Sequence, residues 1–429
     1  ARRGGGVGAA DHTLGRDGIG PRHDRPRMVN SNWGGTVEDN SFGTHEFFNL
    51  CELIGCEPYL SGNVGSGTVE ELAKWVEYIT ADDGPMAQLR RQNGREKPWK
   101  LKYLGVGNES WGCGGNFTPE AYADMYRRYQ TYCREFNGNR LYKIASGASD
   151  YDYNWTEILM KKARNHMAGI SLHYYTVTGW SGSKGSATRF SDDDYYWTLG
   201  KCLEVDDVIR RHSSIMDRYD PKKRIGLLLD EWGTWWDEEP GTISGHLYQQ
   251  NTMRDAMVAA LSLNLFHNHA DRLRMANIAQ VANVLQSMVL TRDADMVLTP
   301  TYYVFKMYTP HQGAVNIPVN VDCIERVVRD RRIVPAVSAT ASHRNGTMTI
   351  SIANTDLNDE AEIEIPLTGT KARKATGEIL TSSNIGDYND FGTPDKVSLK
   401  PFDKVKIDKG MLKTRIPARS IVTLSIPMQ

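Results

Sequence analysis

The sequence has few cysteines, no long apolar run and almost no net charge. Six cysteines in 429 residues are too few for a disulfide scaffold, and most stand alone, which is typical of a reducing compartment. The longest apolar runs, such as 225–229, are far shorter than the ~20 residues that span a bilayer. Lys and Arg number 51 against 52 Asp and Glu, so the charge predicts no nucleic-acid partner and no membrane partner.

The composition is that of a folded globular protein. Hydrophobic residues make up 40% of the chain and charged residues 24%, and at ~150 residues per domain the length predicts two or three domains. Aromatic residues are plentiful, with 10 Trp and 20 Tyr, and many stand beside Gly and Asn rather than in apolar runs. The chain starts at Ala1 without an initiator Met, so we expect the true N-terminus to be missing.

Between residues 45 and 291, short apolar runs alternate with helical patterns. The runs cover 57–63, 103–107, 143–147, 169–173, 224–229 and 273–277. Each run is apolar on both faces and leads into a helix, which is the pattern of parallel β/α units. These six runs predict most of a (β/α)8 barrel, which has eight strands.

Three of the predicted helices have recognisable starts. Thr44 is the predicted N-cap of the first helix. Thr68 and Glu71 have the spacing of a capping box. Thr118 followed by Pro119 predicts an N-cap and a first helical residue.

After about residue 300 the apolar pattern changes to that of antiparallel strands. Alternating or short apolar runs lie at 347–352, 361–365, 397–399, 405–407 and 421–426. Asn345-Gly346 between two such runs predicts a tight hairpin. We therefore expect a barrel domain over 1–295 and an all-β sandwich over 296–429.

Carboxylic acids follow two of the predicted barrel strands. Glu109 comes after 103–107 and Glu231 comes after 224–229, and in a β/α barrel such positions face the mouth where catalysis takes place. Two facing carboxyls are what glycoside hydrolysis requires, although each Glu would otherwise suit a salt bridge at the rim. Spacing alone does not decide which would be the acid and which the nucleophile. Nearby aromatic side chains offer flat faces for sugar rings: Trp111, Trp232, Trp235 and Trp236.

These segments resemble a known enzyme family. Residues 107–116, Gly-Asn-Glu-Ser-Trp-Gly-Cys-Gly-Gly-Asn, closely resemble the acid/base segment of α-L-arabinofuranosidases of glycoside hydrolase family 51. Asp-Glu-Trp at 230–232 resembles the nucleophile segment of that family. The resemblance runs in the family's order from Asp17 to the end of the chain, through 17–22, 37–47, 171–175 and 275–280.

The resemblance implies a fold, an activity and a set of partners. It implies a (β/α)8 TIM barrel with a C-terminal jelly-roll-like sandwich. It also implies a retaining exo-α-L-arabinofuranosidase that releases terminal arabinofuranose from arabinoxylan or arabinan oligosaccharides, without cofactor or metal, in a homo-oligomer. An endo-β-glucanase of the same family and an inactive carbohydrate-binding homologue stay open as alternatives. Many bacterial members are cytoplasmic, which favours that location, while a missing N-terminus leaves secretion open.

Three residues take chemical roles by this resemblance. Glu109 is expected to be the general acid/base, and Asn108 a hydrogen-bond donor to the sugar 2-hydroxyl. Glu231 is expected to be the nucleophile that forms a covalent arabinosyl-enzyme. Retention of configuration requires the two carboxyls to lie ~5–5.5 Å apart.

Five further residues are expected to bind the substrate. Tyr175 resembles the tyrosine that contacts the nucleophile, and His173 lies two residues earlier, on the same side of its strand. Gln280 matches a last-strand glutamine that binds the furanose. Trp33 and Trp235 occupy positions on the leaving-group side.

The first twenty residues depart from the family pattern. Family members carry Arg-x-Pro-Gly-Gly-Cys at the end of the second barrel strand, whereas here Arg3 stands for the Arg, Gly5 for the Pro and Gly8 for the Cys. So Gly-rich a segment is a poor strand, and the family's first strand has no counterpart. The chain is expected to be either a fragment of a longer gene product or a variant with a rebuilt first quarter.

Two other patterns are weaker. His267 and His269 form a pair without a carboxylate partner at ligand spacing, so no metal is predicted there. Cys113 lies in the acid/base loop, where it is either a packing residue or a contact to the sugar.

Overall fold

The computed structural model describes the backbone of residues 2–3 and all of residues 15–368 and 372–428. Over these residues the chain forms a curled parallel sheet surrounded by helices, followed by an all-β unit. The Gly-rich segment 4–14 and the Arg3 side chain, on which the predicted departure from the family rests, lie outside the described residues.

Parallel strands of the first part form the barrel sheet. In chain order the strands are β1 (Arg2–Arg3), β2 (Met28–Asn30), β3 (Thr36–Glu38), β4 (Tyr59–Gly62), β5 (Tyr103–Val106), β6 (Tyr142–Ser149), β7 (Gly169–Thr176), β8 (Gly226–Thr234) and β9 (Leu273–Ile278). The sheet order is β1-β4-β5-β6-β7-β8-β9, while β2 and β3 form a separate hairpin. The six predicted barrel strands are confirmed as β4 to β9, and the described residues add β1, which pairs with Tyr59 and Leu60.

Helices pack on the outside of this sheet. They are α1 (Thr44–Ile54), α2 (Val69–Thr80), α3 (Pro85–Gln92), α4 (Pro119–Tyr132), α5 (Tyr153–Ala163), α6 (Asp192–Leu203), α7 (Val205–Tyr219), α8 (Met253–Asn268) and α9 (Pro300–Tyr308). Short 3₁₀ helices lie at Gly15–Gly18, Arg22–Asp24, Arg164–His166, Thr309–His311 and Arg329–Arg331. Apolar residues of the strands and of the helices facing them form one large core.

Helix starts follow the predicted chemistry in two cases of three. Thr68 and the Glu71 carboxylate cap α2 reciprocally, and Thr118 accepts a hydrogen bond at the start of α4, as predicted. The prediction of Thr44 as an N-cap is wrong, because Thr44 is already helical and Gly43 is the N-cap. The Glu46 carboxylate accepts from the Gly43 N–H at 2.8 Å, which satisfies this helix end without a capping hydroxyl.

Antiparallel strands form the second part of the chain. They are β10 (Val289–Arg292), β11 (Asp295–Leu298), β12 (Val315–Ile317), β13 (Glu325–Val327), β14 (Ile333–Pro335), β15 (Val337–Arg344), β16 (Thr347–Asn354), β17 (Ala361–Pro366), β18 (Thr376–Thr381), β19 (Lys400–Phe402), β20 (Val405–Asp408), β21 (Met411–Ile416) and β22 (Ser420–Pro427). A sheet of order β12-β15-β16-β22-β18-β19 and a sheet of order β17-β21-β20 share a second apolar core. The predicted all-β architecture is therefore present.

Local predictions in this part have mixed outcomes. The Asn345-Gly346 hairpin is confirmed, since Arg344 pairs with Thr347 and both turn residues have positive φ, 50° and 73°. The strand predicted at 397–399 is wrong. The Asn389 side chain accepts a hydrogen bond from the Val397 N–H at 2.7 Å and donates one to the Val397 carbonyl at 2.8 Å. It thus takes the place of a neighbouring strand.

Two histidines, His267 half-buried and His311 buried, join the helices to the β unit. His267 Nδ1 lies 3.0 Å from the Thr340 hydroxyl on β15, and His311 contacts the Ser342 and Ser351 hydroxyls at 2.8 and 2.9 Å. The two imidazole rings are 4.9 Å apart. Burial lowers the pKa of His267 to about 4, and burial together with the neighbouring His267 lowers the pKa of His311 to about 3. Both side chains are therefore neutral in the folded protein near pH 7.

We expect this pair to make the protein sensitive to acid. Below the ordinary histidine pKa of ~6.5 the unfolded chain takes up protons that the folded chain excludes, so the free energy of unfolding falls as pH falls toward 4. The loss between pH 7 and pH 5 is about 2 kcal/mol for each histidine. Urea unfolding at both pH values tests this: His311→Asn should flatten the pH dependence, whereas exposed His166→Asn should leave it unchanged.

Candidate active site

The loop after β5 presents Glu109 in an unusual backbone conformation. Glu109 has a φ of 45°, and its carbonyl accepts hydrogen bonds from the N–H groups of Gly112 and Gly114 at 2.8 and 3.0 Å. A Cβ at Gly114 would lie 1.8 Å from the Asn108 carbonyl oxygen, so only glycine fits there. The Gly-rich sequence thus folds the loop tightly around Glu109, and Asn108 is buried beside it.

A bulge in β8 directs two consecutive carboxylates to the same place. Leu172 pairs with Leu229, but His173 pairs with Glu231, so Asp230 is an extra residue in the register. In a regular strand Asp230 and Glu231 would point to opposite faces, and a bulge removes that alternation. Both acids reach His173 as a result.

His173 lies between three carboxylates. Its Nδ1 is 3.0 Å from Glu109 Oε1 and 3.5 Å from Glu231 Oε2, and its Nε2 is 3.2 Å from Asp230 Oδ1. Oxygens of Glu109 and Glu231 lie within 4.8 Å of each other. This separation is close to the ~5–5.5 Å of carboxyl pairs in retaining glycosidases and shorter than the ~6.5–9.5 Å of inverting ones.

The electrostatics of this cluster favour a charged imidazole. Burial alone would lower the pKa of His173, but the charge of Glu231 and the hydrogen bonds with Asp230 and Glu109 raise it well above its ordinary value. As a cation, His173 donates from both nitrogens. Its positive charge therefore offsets part of the repulsion between the neighbouring carboxylates of Glu109 and Glu231.

Glu231 is held by a second donor. The hydroxyl of Tyr175, two residues after His173 on β7, donates to Glu231 Oε2 at 2.8 Å, and the Glu231 side chain is only 4% exposed. Such a bond orients the carboxylate and stabilises its charge. Because a hydrogen bond also makes the accepting oxygen less nucleophilic, we infer that the role of this bond is to position the Glu231 carboxylate.

Tyr175→Phe should lower kcat for the arabinofuranoside hydrolysis that the family resemblance implies. Hydrogen bonds to charged groups contribute ~1.5–3 kcal/mol, so losing this one predicts a fall of about 10–100-fold. Steady-state kinetics with an aryl α-L-arabinofuranoside measures it. Tyr174→Phe is the matched control, because the Tyr174 hydroxyl donates to the Lys201 carbonyl, away from Glu231. Equal losses in the two variants would contradict the assignment.

Aromatic rings border the two carboxyls. The Trp235 ring lies 5.1 Å from that of Tyr175, 6.0 Å from that of Trp33 and 5.4 Å from that of Trp180, measured between centroids. Trp180 is 55% exposed. Together these rings form an apolar rim at the carboxyl ends of β7 and β8.

Gln280 follows β9 and lines a cavity of about 770 Å³ that also reaches Asp230 and Glu231. Its amide nitrogen is buried and makes no hydrogen bond to any described residue. A buried amide without a partner is costly unless a ligand satisfies it. Gln280 is therefore available to a polar ligand beside Glu231.

The structure thus brings Glu109, Glu231, His173 and Tyr175 into direct contact, with Asn108 packed beside Glu109. It places Gln280 in the cavity, and Trp33 and Trp235 at the aromatic rim.

Three residues of the site were not predicted from the sequence: Asp230, Tyr59 and Trp180. Asp230 Oδ1 lies 3.2 Å from His173 Nε2, Asp230 Oδ2 accepts from the Tyr59 hydroxyl at 2.8 Å, and Trp180 extends the rim. The available signal was an acid, Asp230, directly before Glu231 at the end of a buried strand. Asp230 is 2% exposed.

The same cluster has the donors of a metal site. Among the described residues, Glu109, His173 and Glu231 form the one group of three side chains whose ligand atoms lie close enough to share an ion. The prediction that His267 and His269 lack a carboxylate partner is wrong, because His269 Nε2 lies 2.7 Å from Asp206 Oδ1.

Comparisons with known proteins agree with this geometry. Residues 6–193 match the family "Alpha-L-arabinofuranosidase 1 domain", and residues 230–420 match "Alpha-L-arabinofuranosidase C-terminal domain". The chain is 68% identical over 419 residues to an intracellular exo-α-L-arabinofuranosidase of Bacteroides ovatus, covering 97% of this chain and 82% of that protein. None of the described helices is both long and apolar enough to cross a lipid bilayer.

Solved structures are similar over nearly the whole chain. The crystal structure of a family 51 arabinofuranosidase from Xanthomonas axonopodis pv. citri superposes with a TM-score of 0.96 at 44% identity, covering 99% of this chain and 86% of that one. The α-L-arabinofuranosidase from Thermotoga maritima, solved in complex with arabinose, gives a TM-score of 0.85 at 26% identity, covering 100% of this chain and 87% of that one.

Proposed function

The chain belongs to the α-L-arabinofuranosidases of glycoside hydrolase family 51, a retaining family, and we propose that it removes terminal α-L-arabinofuranosyl groups from oligosaccharides by double displacement. The observation that supports the mechanism is the pair Glu109 and Glu231, with carboxyl oxygens within 4.8 Å of each other. At that separation one carboxyl reaches the anomeric carbon while the other reaches the glycosidic oxygen.

In the first step Glu231 attacks the anomeric carbon. The bond from this carbon to the glycosidic oxygen breaks, and Glu109 gives its proton to the departing oxygen. Tyr175 and His173 hold Glu231 in line, since both contact its Oε2. The product of this step is an ester between Glu231 and arabinose.

In the second step Glu109 acts as a base. It takes a proton from water, whose oxygen attacks the anomeric carbon and displaces Glu231. Two inversions at this carbon return the original configuration. Glu109 is suited to face water because its side chain is 13% exposed, whereas that of Glu231 is 4% exposed.

The remaining polar and aromatic residues bind the sugar in this proposal. Asn108 donates to the 2-hydroxyl, and the unpartnered amide of Gln280 bonds the furanose. Trp33 and Trp235 contact the leaving group from the rim. Arabinoxylan and arabinan oligosaccharides carry such terminal furanosides. Since the Bacteroides relative is described as intracellular, we place this reaction inside the cell as well.

The division of labour along the chain is also part of the proposal. Residues 1–295 would form the catalytic unit and residues 296–429 the sandwich unit, in line with a barrel sheet that ends at β9 and a second core that includes residues from β12 onward. Assembly into a homo-oligomer would cover apolar side chains that stand exposed near β13 and β14, such as Ile324, Val327 and Ile333. Light scattering coupled to gel filtration measures that mass.

Release of nitrophenol from 4-nitrophenyl α-L-arabinofuranoside by the purified chain is the direct test. Proton NMR of the first product should give the α-anomer, and arabino-oligosaccharides should lose single arabinose units from one end. Hydrolysis with inversion would contradict the mechanism. Binding of arabinose without any hydrolysis would instead identify a non-catalytic sugar-binding protein.

A further inference from the structure

The two oxygens of the Glu109 carboxyl have different partners. Oε1 lies 3.0 Å from Nδ1 of His173, and Oε2 lies 3.2 Å from the thiol sulfur of Cys113, which donates to it. An imidazole nitrogen thus faces one oxygen and a thiol faces the other. The thiol comes from the same loop as Glu109, four residues later.

The loop fixes this thiol in place through its backbone. Gly112 and Gly114, the two neighbours of Cys113, both donate to the Glu109 carbonyl, and the Asn116 N–H donates to the Gly112 carbonyl at 2.7 Å. A side chain at Gly114 would collide with the Asn108 carbonyl. Because both flanking residues are tied to Glu109, the contact between Cys113 and the carboxyl belongs to the folded loop rather than to a freely rotating chain end.

This arrangement distinguishes the two oxygens chemically. Oε1 faces the stronger donor, the imidazole N–H at 3.0 Å, so the acidic proton of Glu109 belongs on Oε2, the oxygen beside Cys113. A thiol is a weak donor and a weak acceptor. It restrains the carboxyl without binding the proton strongly.

We propose that Cys113 is a positioning residue for the acid/base, which orients Glu109 through Oε2, the oxygen that delivers its proton to the leaving group. The inference rests on the acid/base role proposed above for Glu109. It assigns to the Gly-Cys-Gly part of the loop a part in proton transfer, in place of packing or contact with the sugar.

Two substitutions at Cys113 should shift the pH at which Glu109 loses its proton in opposite directions. Cys113→Ala removes a donor that stabilises the carboxylate over the carboxylic acid, so the acid form should persist to higher pH. Cys113→Ser replaces the thiol with a stronger donor of similar shape, so the acid form should be lost at lower pH. The alkaline limb of the kcat/KM profile reports the acid form of the free enzyme.

The experiment compares the pH profiles of the unmodified protein and these two variants with phenyl and 2,4-dinitrophenyl α-L-arabinofuranosides. We expect the alkaline limb to move up by about 0.5 pH unit in Cys113→Ala and down in Cys113→Ser. Cys113→Ala should also lose about 2–10-fold in kcat/KM on the phenyl substrate, which needs protonation, and little on the dinitrophenyl substrate. Cys323→Ala, in the β unit, controls for loss of a half-buried thiol.

Unchanged limbs in both variants, or equal losses on the two substrates, would overturn the role of Cys113 while hydrolysis itself persists. Absence of hydrolysis by the unmodified protein is a different result, which overturns the proposed function together with this inference. Circular dichroism and thermal melting of each variant separate a folding defect from a catalytic one. If Cys113→Ser fails to fold, Cys113→Thr replaces it, with the same downward shift expected; if Cys113→Ala fails to fold, Cys113→Val, which also lacks a donor, replaces it, with the same upward shift expected.

Discussion

Glu231→Ala will abolish hydrolysis of aryl α-L-arabinofuranosides, lowering kcat by about 10⁴-fold or more, because Glu231 is the group that forms the covalent intermediate in the proposed mechanism. The Tyr175 hydroxyl donates to Glu231 and His173 Nδ1 lies 3.5 Å from it, and neither side chain offers a carboxylate in its place. The fold should persist, since Glu231 lines a cavity instead of filling the apolar core. Stopped assays with nitrophenyl substrate measure the loss, and circular dichroism measures the fold.

Adding azide as an external nucleophile tests this prediction through the anomer of the product. In Glu231→Ala the vacated space admits azide, which attacks the anomeric carbon directly while Glu109 still protonates the leaving oxygen. A single displacement inverts the centre, so the product is β-L-arabinofuranosyl azide. The matched control is Glu57→Ala, an exposed carboxylate lining the same cavity, which should keep its activity. Undiminished hydrolysis by Glu231→Ala, or an α-azide product, would remove Glu231 as the nucleophile.

Much of the barrel could be predicted because its strands are short and buried on both faces. Runs such as 225–229 are apolar at consecutive positions, so both faces of the strand are apolar, which indicates a strand of a covered parallel sheet. The strand at 397–399 was mispredicted for a related reason. Its apolar residues are buried, but Asn389, a residue eight positions away, takes the backbone groups that a neighbouring strand would need.

The catalytic cluster was predictable in its members but only in part in its geometry. The two-residue period of a β-strand places His173 and Tyr175 on the same side, and in the structure both side chains contact Glu231. The same period predicts that Asp230 points away from Glu231. The bulge between β7 and β8 changes this, and a bulge depends on how two strands pair, which no single strand encodes.

The contact between Cys113 and Glu109 was beyond prediction for a similar reason. The Gly-rich sequence after Glu109 indicates a turn, but the path of the turn depends on two N–H groups converging on one carbonyl. The folded path of the loop then directs the Cys113 thiol toward the Glu109 carboxyl and not toward solvent. Motif resemblance identifies such a loop without giving the direction of its side chains.

Glu109→Ala should separate substrates by their leaving groups. Hydrolysis of oligosaccharides and of phenyl arabinofuranoside needs a proton on the departing oxygen, so their kcat/KM should fall by about 10³-fold. Dinitrophenolate leaves without a proton, so the first step on that substrate should be almost unaffected. The second step then lacks its base, and the arabinosyl ester on Glu231 should accumulate, with a burst of dinitrophenol and a lowered KM.

Azide again distinguishes the roles, because the two catalytic variants should give opposite products. In Glu109→Ala, azide enters the space of the missing carboxyl and attacks the arabinosyl ester, forming a C–N bond as the bond to Glu231 breaks. This is the second inversion, so the product is α-L-arabinofuranosyl azide, the opposite anomer to that from Glu231→Ala. Mass spectrometry of the trapped protein should find the added arabinose on the peptide that contains Glu231. A β-azide from both variants would mean that Glu109 and Glu231 do not act on opposite sides of the anomeric carbon. The opposite pair of anomers would exchange the two assignments.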